Sequence, residues 1–302
     1  MQPLSRRGAL LMLPVGLAAL ATDSLAATLV EPVADAATEA FDAAGRIARG
    51  VSPAPLDDTG SPSRAALAGA VVAAMGGRSR VIGVSVMDRR TGVWWHYRGG
   101  SLVRAGSVSK TLIVAAALRK ARAGGSSLSP RQRDQARAAI TLSDNAAATA
   151  LYAWIGGHPA VSELAADLGM IDTAAAEEAE VWGHTLTTPN DLVRMMHRLT
   201  GGSPVTHRDD DEQLLALMGQ VVDGQRWGVG TVRSSAVRIR VKNGWMLVDD
   251  PWVINSVGDV RGGGRDYVMA LMQRAQPDET TGITRASRIG RAVFAALESP
   301  LR

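Results

Sequence analysis

The sequence predicts an α+β fold: an antiparallel five-stranded sheet covered by terminal helices, with an all-helical lobe inserted between strands two and three. Three observations carry this. Strand-patterned segments fall in two groups, two within residues 81–98 and three within 237–274. Residues 101–232 between them carry helical periodicity and helix stop signals. One helix-patterned segment precedes the first strand group and another follows the second. Strands segregated from helices favour antiparallel pairing over the alternation that builds parallel sheets.

Each element has its own signal. "SRAALAGAVVAAM", from Ser63, is an apolar helix closed by Gly76 and Gly77. "VIGVSVMD" and "VWWHYR" are strands joined across "RRTG" as a hairpin. The first helix of the lobe opens near Ser107 and runs to about Ala123, where "GGSSLSP" breaks the chain. Ser129 and Pro130 open the next, as cap and first-turn proline. "SDNAAATALYAWIGG" is the third, and "PAVSELAADLG" the fourth, with Val161, Leu164, Ala165 and Leu168 on one stripe. In the fifth, Thr188 caps, Pro189 opens, and Leu192, Met195, Met196 and Leu199 form the buried face. "DDDEQLLALMGQVV" is the sixth. "VRIRVK" then alternates strictly, with Val237, Ile239 and Val241 on one face and Arg238, Arg240 and Lys242 on the other. "WVINSVGDV" and "YVMALMQR" follow across "RGGGRD", and a last helix runs from about Thr284 to Leu297. A cleft is expected between the sheet and the helical lobe.

Residues 1–26 read as an export signal. Arg6 and Arg7 precede an apolar run from Ala9 to Ala21, and small residues follow at Ser24 and Ala26. That run, interrupted by Pro14, is too short to span a bilayer. "SRRG" is similar to a twin-arginine signal, though Ala9 stands at the usual phenylalanine position. The expected location is therefore periplasmic or extracellular, with no stable membrane span after signal removal. Residues 27–62, rich in Ala, Asp and Pro, read as a linker with a short helix near Glu39–Ala48, and 63–302 as the folded domain. The chain has no cysteine, so disulfides, thiolate metal sites and a lipobox are excluded. At 46% hydrophobic and 21% charged, its 302 residues can bury a full core. Arginines are scattered rather than striped, so the net charge of +4 does not indicate nucleic acid. The five histidines lack metal-ligand spacing, and no H-E-x-x-H, P-loop or dinucleotide motif is present. No metal or cofactor is expected, and the chain is expected to act as a monomer on a small molecule or peptide.

Only three of the 33 basic residues are lysine: Lys110, Lys120 and Lys242. Arginine serves wherever a fixed charge suffices, but only lysine sheds its proton on desolvation. Lys110 lies three residues after Ser107, at the mouth of the apolar run "TLIVAAAL". On a helix the two share a face about 5–6 Å apart. A desolvated, neutral lysine there can act as base toward the serine. The competing reading is an N-capping Ser107 with Lys110 reaching solvent. "SDN" at 143–145 suits a helix start, and "KNG" at 242–244 a strand end.

Taken together, Ser107-Val108-Ser109-Lys110, Ser143-Asp144-Asn145 and Lys242-Asn243-Gly244 resemble the S-x-x-K, S-D-N and K-T-G set of class A β-lactamases and penicillin-binding proteins. The resemblance covers about Ser63 to the C-terminus, and two of the three lysines fall on motif positions. It implies the serine β-lactamase/transpeptidase-like fold and an acyl-transfer site. Ser107 would attack a carbonyl, Lys110 would take its proton, and Ser143, aided by Lys242, would relay a proton to the leaving nitrogen. Lys242 would also attract a substrate carboxylate and add positive potential that keeps Lys110 neutral. Asn145, Asn243, Gly244 and Trp245 would bind substrate, with the backbone N–H groups of Ser107 and Trp245 as oxyanion hole.

Three departures from the family pattern matter. Asn243 stands where Thr or Ser is expected. The spacing from Ser107 to Ser143 is shorter than is usual in class A enzymes. The loop "MIDTAAAEEAEVWGHTLTTP" lacks the E-x-x-L-N context of the deacylating glutamate, leaving Glu177, Glu178 and Glu180 as undistinguished candidates. The sequence thus leaves three readings: a serine hydrolase opening β-lactam amides, a D,D-peptidase or transpeptidase acting on peptidoglycan stem peptides with slow deacylation, and a catalytically silent binder of peptidoglycan or β-lactam on the same fold.

Overall fold

A computed structural model of the chain describes residues 61–176, 179–248 and 251–302. The expected export signal, linker and short helix near Glu39–Ala48 lie outside the described residues. Helix α1 (Pro62–Met75) is capped by Ser61, whose hydroxyl accepts from Arg64 N, and is ended by Gly76 in the left-handed region. Strands β1 (Ile82–Asp88) and β2 (Val93–Tyr97) form the hairpin. Strands β5 (Val237–Leu247), β6 (Trp252–Gly262) and β7 (Arg265–Gln276) return much later. The five make one antiparallel sheet in the order β2-β1-β7-β6-β5. This is the predicted sheet. β5 runs five residues beyond "VRIRVK", because pairing with β6 continues past the third motif to Leu247–Trp252.

The sheet separates two apolar clusters. In central strand β7, Tyr267, Met269 and Leu271 face one cluster, and Val268, Ala270 and Met272 the other. The outer cluster is closed by α1 and by α8 (Glu279–Ala296), the two terminal helices. Asp278 caps α8 through Thr281 N, so this helix begins five residues before the predicted Thr284.

The inner face carries the helical lobe: α2 (Lys110–Ala123), α3 (Pro130–Arg137), α4 (Asn145–Ile155), α5 (His158–Asp167), α6 (Pro189–Gly201) and α7 (Arg208–Gly219). The predicted stripes of α5 and α6 are buried throughout, each below 3% exposure. Ser129 and Gln132 complete a capping box on α3. A small ribbon, β3 (Val103–Arg104) with β4 (Leu186–Thr187), has no signal in the sequence. Two residues per strand are too few for periodicity to register.

Candidate active site

Ser107 sits in a 3₁₀ turn, Gly106–Ser109, that runs into α2. The turn is held by Ser109 Oγ, which donates to Gly106 O at 2.7 Å. Asn255 on β6 braces it from below, donating to Arg104 O and Ala105 O at 2.8 and 3.1 Å. Strand β5 presses on it from the side. A Cβ on Gly244 would meet Ala105 O, Val108 N and Ser107 N at 2.6, 2.8 and 2.9 Å. Only a glycine lets the strand backbone approach the serine this closely.

Lys110 is fully buried, and its Nζ is ringed by oxygen. It lies 2.8 Å from Ser107 Oγ, 2.6 Å from Ser143 O, 3.1 Å from Ser143 Oγ and 2.7 Å from Asn145 Oδ1. Burial depresses its ammonium to about 8, with Asp144 pulling weakly the other way. Leu112, Ile113 and Val114, of the apolar run that follows Lys110, are buried.

Ser143 arrives by a strained route. After α3 a π-turn, Ala138–Leu142, widens the helix, and Ser143 takes φ 60°, ψ 32°. That left-handed conformation costs a non-glycine residue on the order of 1 kcal/mol. Asp144 then caps α4 through Ala147 N at 2.7 Å. The kink turns Ser143 Oγ toward both lysines, with Lys242 Nζ at 3.0 Å. Lys242 also donates to Asn243 O at 2.8 Å. It is fully buried, and burial together with the charge of Lys110 holds its amine well down. The repulsion between the two amines is thus felt at Lys242 rather than at Lys110, whose own depression comes from burial.

Strand alternation decides the third motif. Lys242 and Gly244 face the serine turn, so Asn243 and Trp245 turn to the opposite face. Asn243, only 1% exposed, donates its amide to Gln225 O and Trp227 O at 2.6 and 3.2 Å. Its side chain is a clamp on that loop, facing away from the serine turn, and the expected role of Asn243 in binding substrate is not made available by this geometry. The Trp245 indole packs edge-on against Trp227, with centroids 6.1 Å apart. Only the Trp245 backbone lies beside the serine turn, its N about 3.4 Å from where a Gly106 Cβ would stand.

Sequence reasoning missed Trp182. Its ring centroid lies 4.9 Å from Lys110 Nζ, and its Nε1 donates to Thr149 Oγ1 at 3.0 Å. Gly183 beside it packs on Gly106. The loop bearing Trp182 is anchored by buried Asp191, which accepts from Asp172 N, Thr173 Oγ1 and Arg194 Nη1 at 2.8, 2.8 and 2.6 Å. Glu177 and Glu178, with the side chain of Glu180, lie outside what the structure describes. Among the described residues no group of three or more His, Asp and Glu side chains could hold a metal.

Residues 129–297, more than half of the chain and including Ser143 and Lys242, match the model of the "Beta-lactamase enzyme family". A protein of Mycobacterium tuberculosis and one of Mycobacterium bovis, each named "Putative lipoprotein LppW", are 28% identical over 240 residues. The match covers 77% of this chain and 74% of theirs. A class A β-lactamase from Bacteroides cellulosilyticus superposes with a TM-score of 0.69 at 17% identity, covering 79% of this chain and 99% of that one. A β-lactamase from Sphaerobacter thermophilus gives 0.66 at 21% identity, covering 76% and 96%. At such identities these structures establish the shared fold.

Proposed function

The chain belongs to the β-lactamase enzyme family, and from that premise we propose that it is an exported serine hydrolase that opens β-lactam amides through an acyl-enzyme on Ser107. The observation that carries this is the buried Lys110 amine, 2.8 Å from Ser107 Oγ. A neutral amine has two N–H donors and one lone pair. Ser143 O can only accept, and Asn145 Oδ1 likewise, so they take the two donors. The lone pair is left for the Ser107 hydroxyl proton. As Ser107 Oγ bonds to the amide carbon, its proton passes to Lys110 and the carbonyl oxygen gains charge. The backbone N–H groups of Ser107 and Trp245 stabilise that oxyanion. When the amide C–N bond breaks, Ser143 Oγ gives its proton to the leaving nitrogen and recovers from Lys110, at 3.1 Å, the one that Ser107 gave up, while Lys242 at 3.0 Å orients the hydroxyl.

Trp182 favours a second reading for the release step. Its indole walls the loop side of Lys110, and its single N–H is already engaged by Thr149. Among the described residues that wall offers no base for a hydrolytic water, which suits a D,D-peptidase or transpeptidase with a persistent acyl-enzyme. The lipoprotein names of the mycobacterial relatives support an envelope location. With no cysteine, this chain would reach it without a lipid on that side chain, and Arg6-Arg7 support the twin-arginine route.

Intact-mass measurement after benzylpenicillin exposure tests the proposal, with turnover of a chromogenic cephalosporin alongside. A Ser107 adduct with turnover identifies the hydrolase, and a lasting adduct without turnover identifies the peptidase-type site. No adduct on folded wild-type protein, or an adduct undiminished in Ser107→Ala, refutes both.

A further inference from the structure

The other half of β5 borders a second charged site. A cavity of about 950 Å³ opens between α7, the end of α6 and the first residues of β5, and Ser107, Lys110, Ser143 and Lys242 are not part of its lining. On the strand side its wall is Arg238 and Arg240, joined by Arg226 from the preceding turn and Arg261 from β6. The alternation that sends Lys242 to Ser143 sends these two arginines into the cavity.

The counter-charges are unevenly spent. On the helical wall Glu212 is bound by Arg208 at 2.9 Å, and Asp211 by the Thr206 hydroxyl at 2.9 Å. Burial lifts the Asp211 carboxyl to about 6, so it loses its charge only as the pH falls below that value. On the strand wall Asp259 lies 3.0 Å from Arg240 and 3.5 Å from Arg89, and Asp266 lies 3.6 Å from Arg261. Among the described residues, neither Arg226 nor Arg238 has a carboxylate in contact. Arg226 donates from Nη1 to Gly219 O at 3.2 Å, while its buried Nε has no hydrogen-bond partner. Burial opposes the charge of both Arg226 and Arg240; Asp259 offsets this in part at Arg240 before Arg238 adds to it, and at Arg226 the repulsion of Arg233 outweighs the pull of Asp223.

We propose that this cavity binds an oxyanion of the phosphate type, held by Arg226 and Arg238. A guanidinium fork matches such an anion with two parallel hydrogen bonds. The anion would supply the contacting counter-charge that Arg226 and Arg238 lack. The chemistry is shared by a free pyrophosphate and by a phosphodiester polymer, and it is independent of the reaction at Ser107.

Calorimetric titration of the protein with sodium pyrophosphate, and separately with poly(glycerol phosphate), tests this. Saturable binding of at least one is expected. It should persist in Ser107→Ala and weaken at least tenfold in the Arg226→Gln, Arg238→Gln double variant. Tighter binding of pyrophosphate assigns a free anion, and tighter binding of the polymer a phosphodiester chain. A measurement on wild-type protein guards against a misfolded variant: saturating anion should protect Arg226 and Arg238 from phenylglyoxal while exposed Arg131 still reacts. No saturable binding of either probe, unchanged affinity in the folded double variant, or labelling of Arg226 and Arg238 indifferent to the anion overturns the proposal.

Discussion

A buried amine among four oxygens is balanced between two forces at Lys110. Burial moves its ammonium from 10.5 to about 8, a shift worth roughly 3 kcal/mol. The Trp182 ring works the other way, since a cation over an indole gains about 0.5–2 kcal/mol. Desolvation by all the neighbours together is the larger effect, and Trp182, itself buried against the amine, supplies one wall of it. Trp182→Ala should therefore raise the midpoint of the pH–acylation profile toward the ordinary lysine value. A midpoint that falls or stays put would show that the ring acts chiefly through its π face. Ser107, Lys110, Ser143 and Lys242 were legible as residues because each stands in a motif. Trp182 was not, because nothing in its local sequence marks a tryptophan that meets a lysine 72 positions away. Asn255 left a faint signal, an amide directly after the apolar run Trp252–Ile254 of a strand.

At the scale of elements, the site is a convergence of one 3₁₀ turn, one strained corner and one edge strand. The strand is the least tolerant of the three, because Gly244 brings backbone against backbone at Ser107. Gly244→Ala should slow adduct formation at least a hundredfold and cost about 1–3 kcal/mol of stability, read by urea unfolding. Near-normal acylation in that variant would mean that β5 can withdraw without disturbing the serine. The helices were legible here through caps and apolar stripes, which act within a few residues. The facing of Asn243 and Trp245 was legible in principle too. Alternation along "VRIRVKNGW" already puts Asn243 and Trp245 on the face opposite Lys242, and the motif resemblance hid that. The π-turn before Ser143 and the β3–β4 ribbon depend on tertiary packing and left no periodic trace.

Across the whole molecule, two buried lysines tie stability to pH. Between about pH 8 and 10.5 the unfolded chain keeps a proton on Lys110 that the folded chain has released. The unfolded state then binds more protons, so stability rises with pH through that window, and Lys242 acts in the same direction. Buried Tyr267, whose hydroxyl is pushed up, opposes this only above about pH 10. Urea unfolding at pH 8 and 9.5 should show a gain of about 1.5 kcal/mol from Lys110, lost in Lys110→Met. An unchanged slope in that variant would place the proton elsewhere. The α+β arrangement itself was legible at this scale, because segregated strand and helix patterns survive over the full length of the domain.

The most direct test of the site is the rate at which benzylpenicillin acylates Ser107, followed by intact mass from pH 6 to 10. The rate should climb with a single midpoint near 8 as Lys110 loses its proton, and Lys110→Arg should be at least a hundredfold slower at every pH. A flat profile, or an arginine variant that acylates as fast as wild type, would contradict a neutral Lys110 acting as the base.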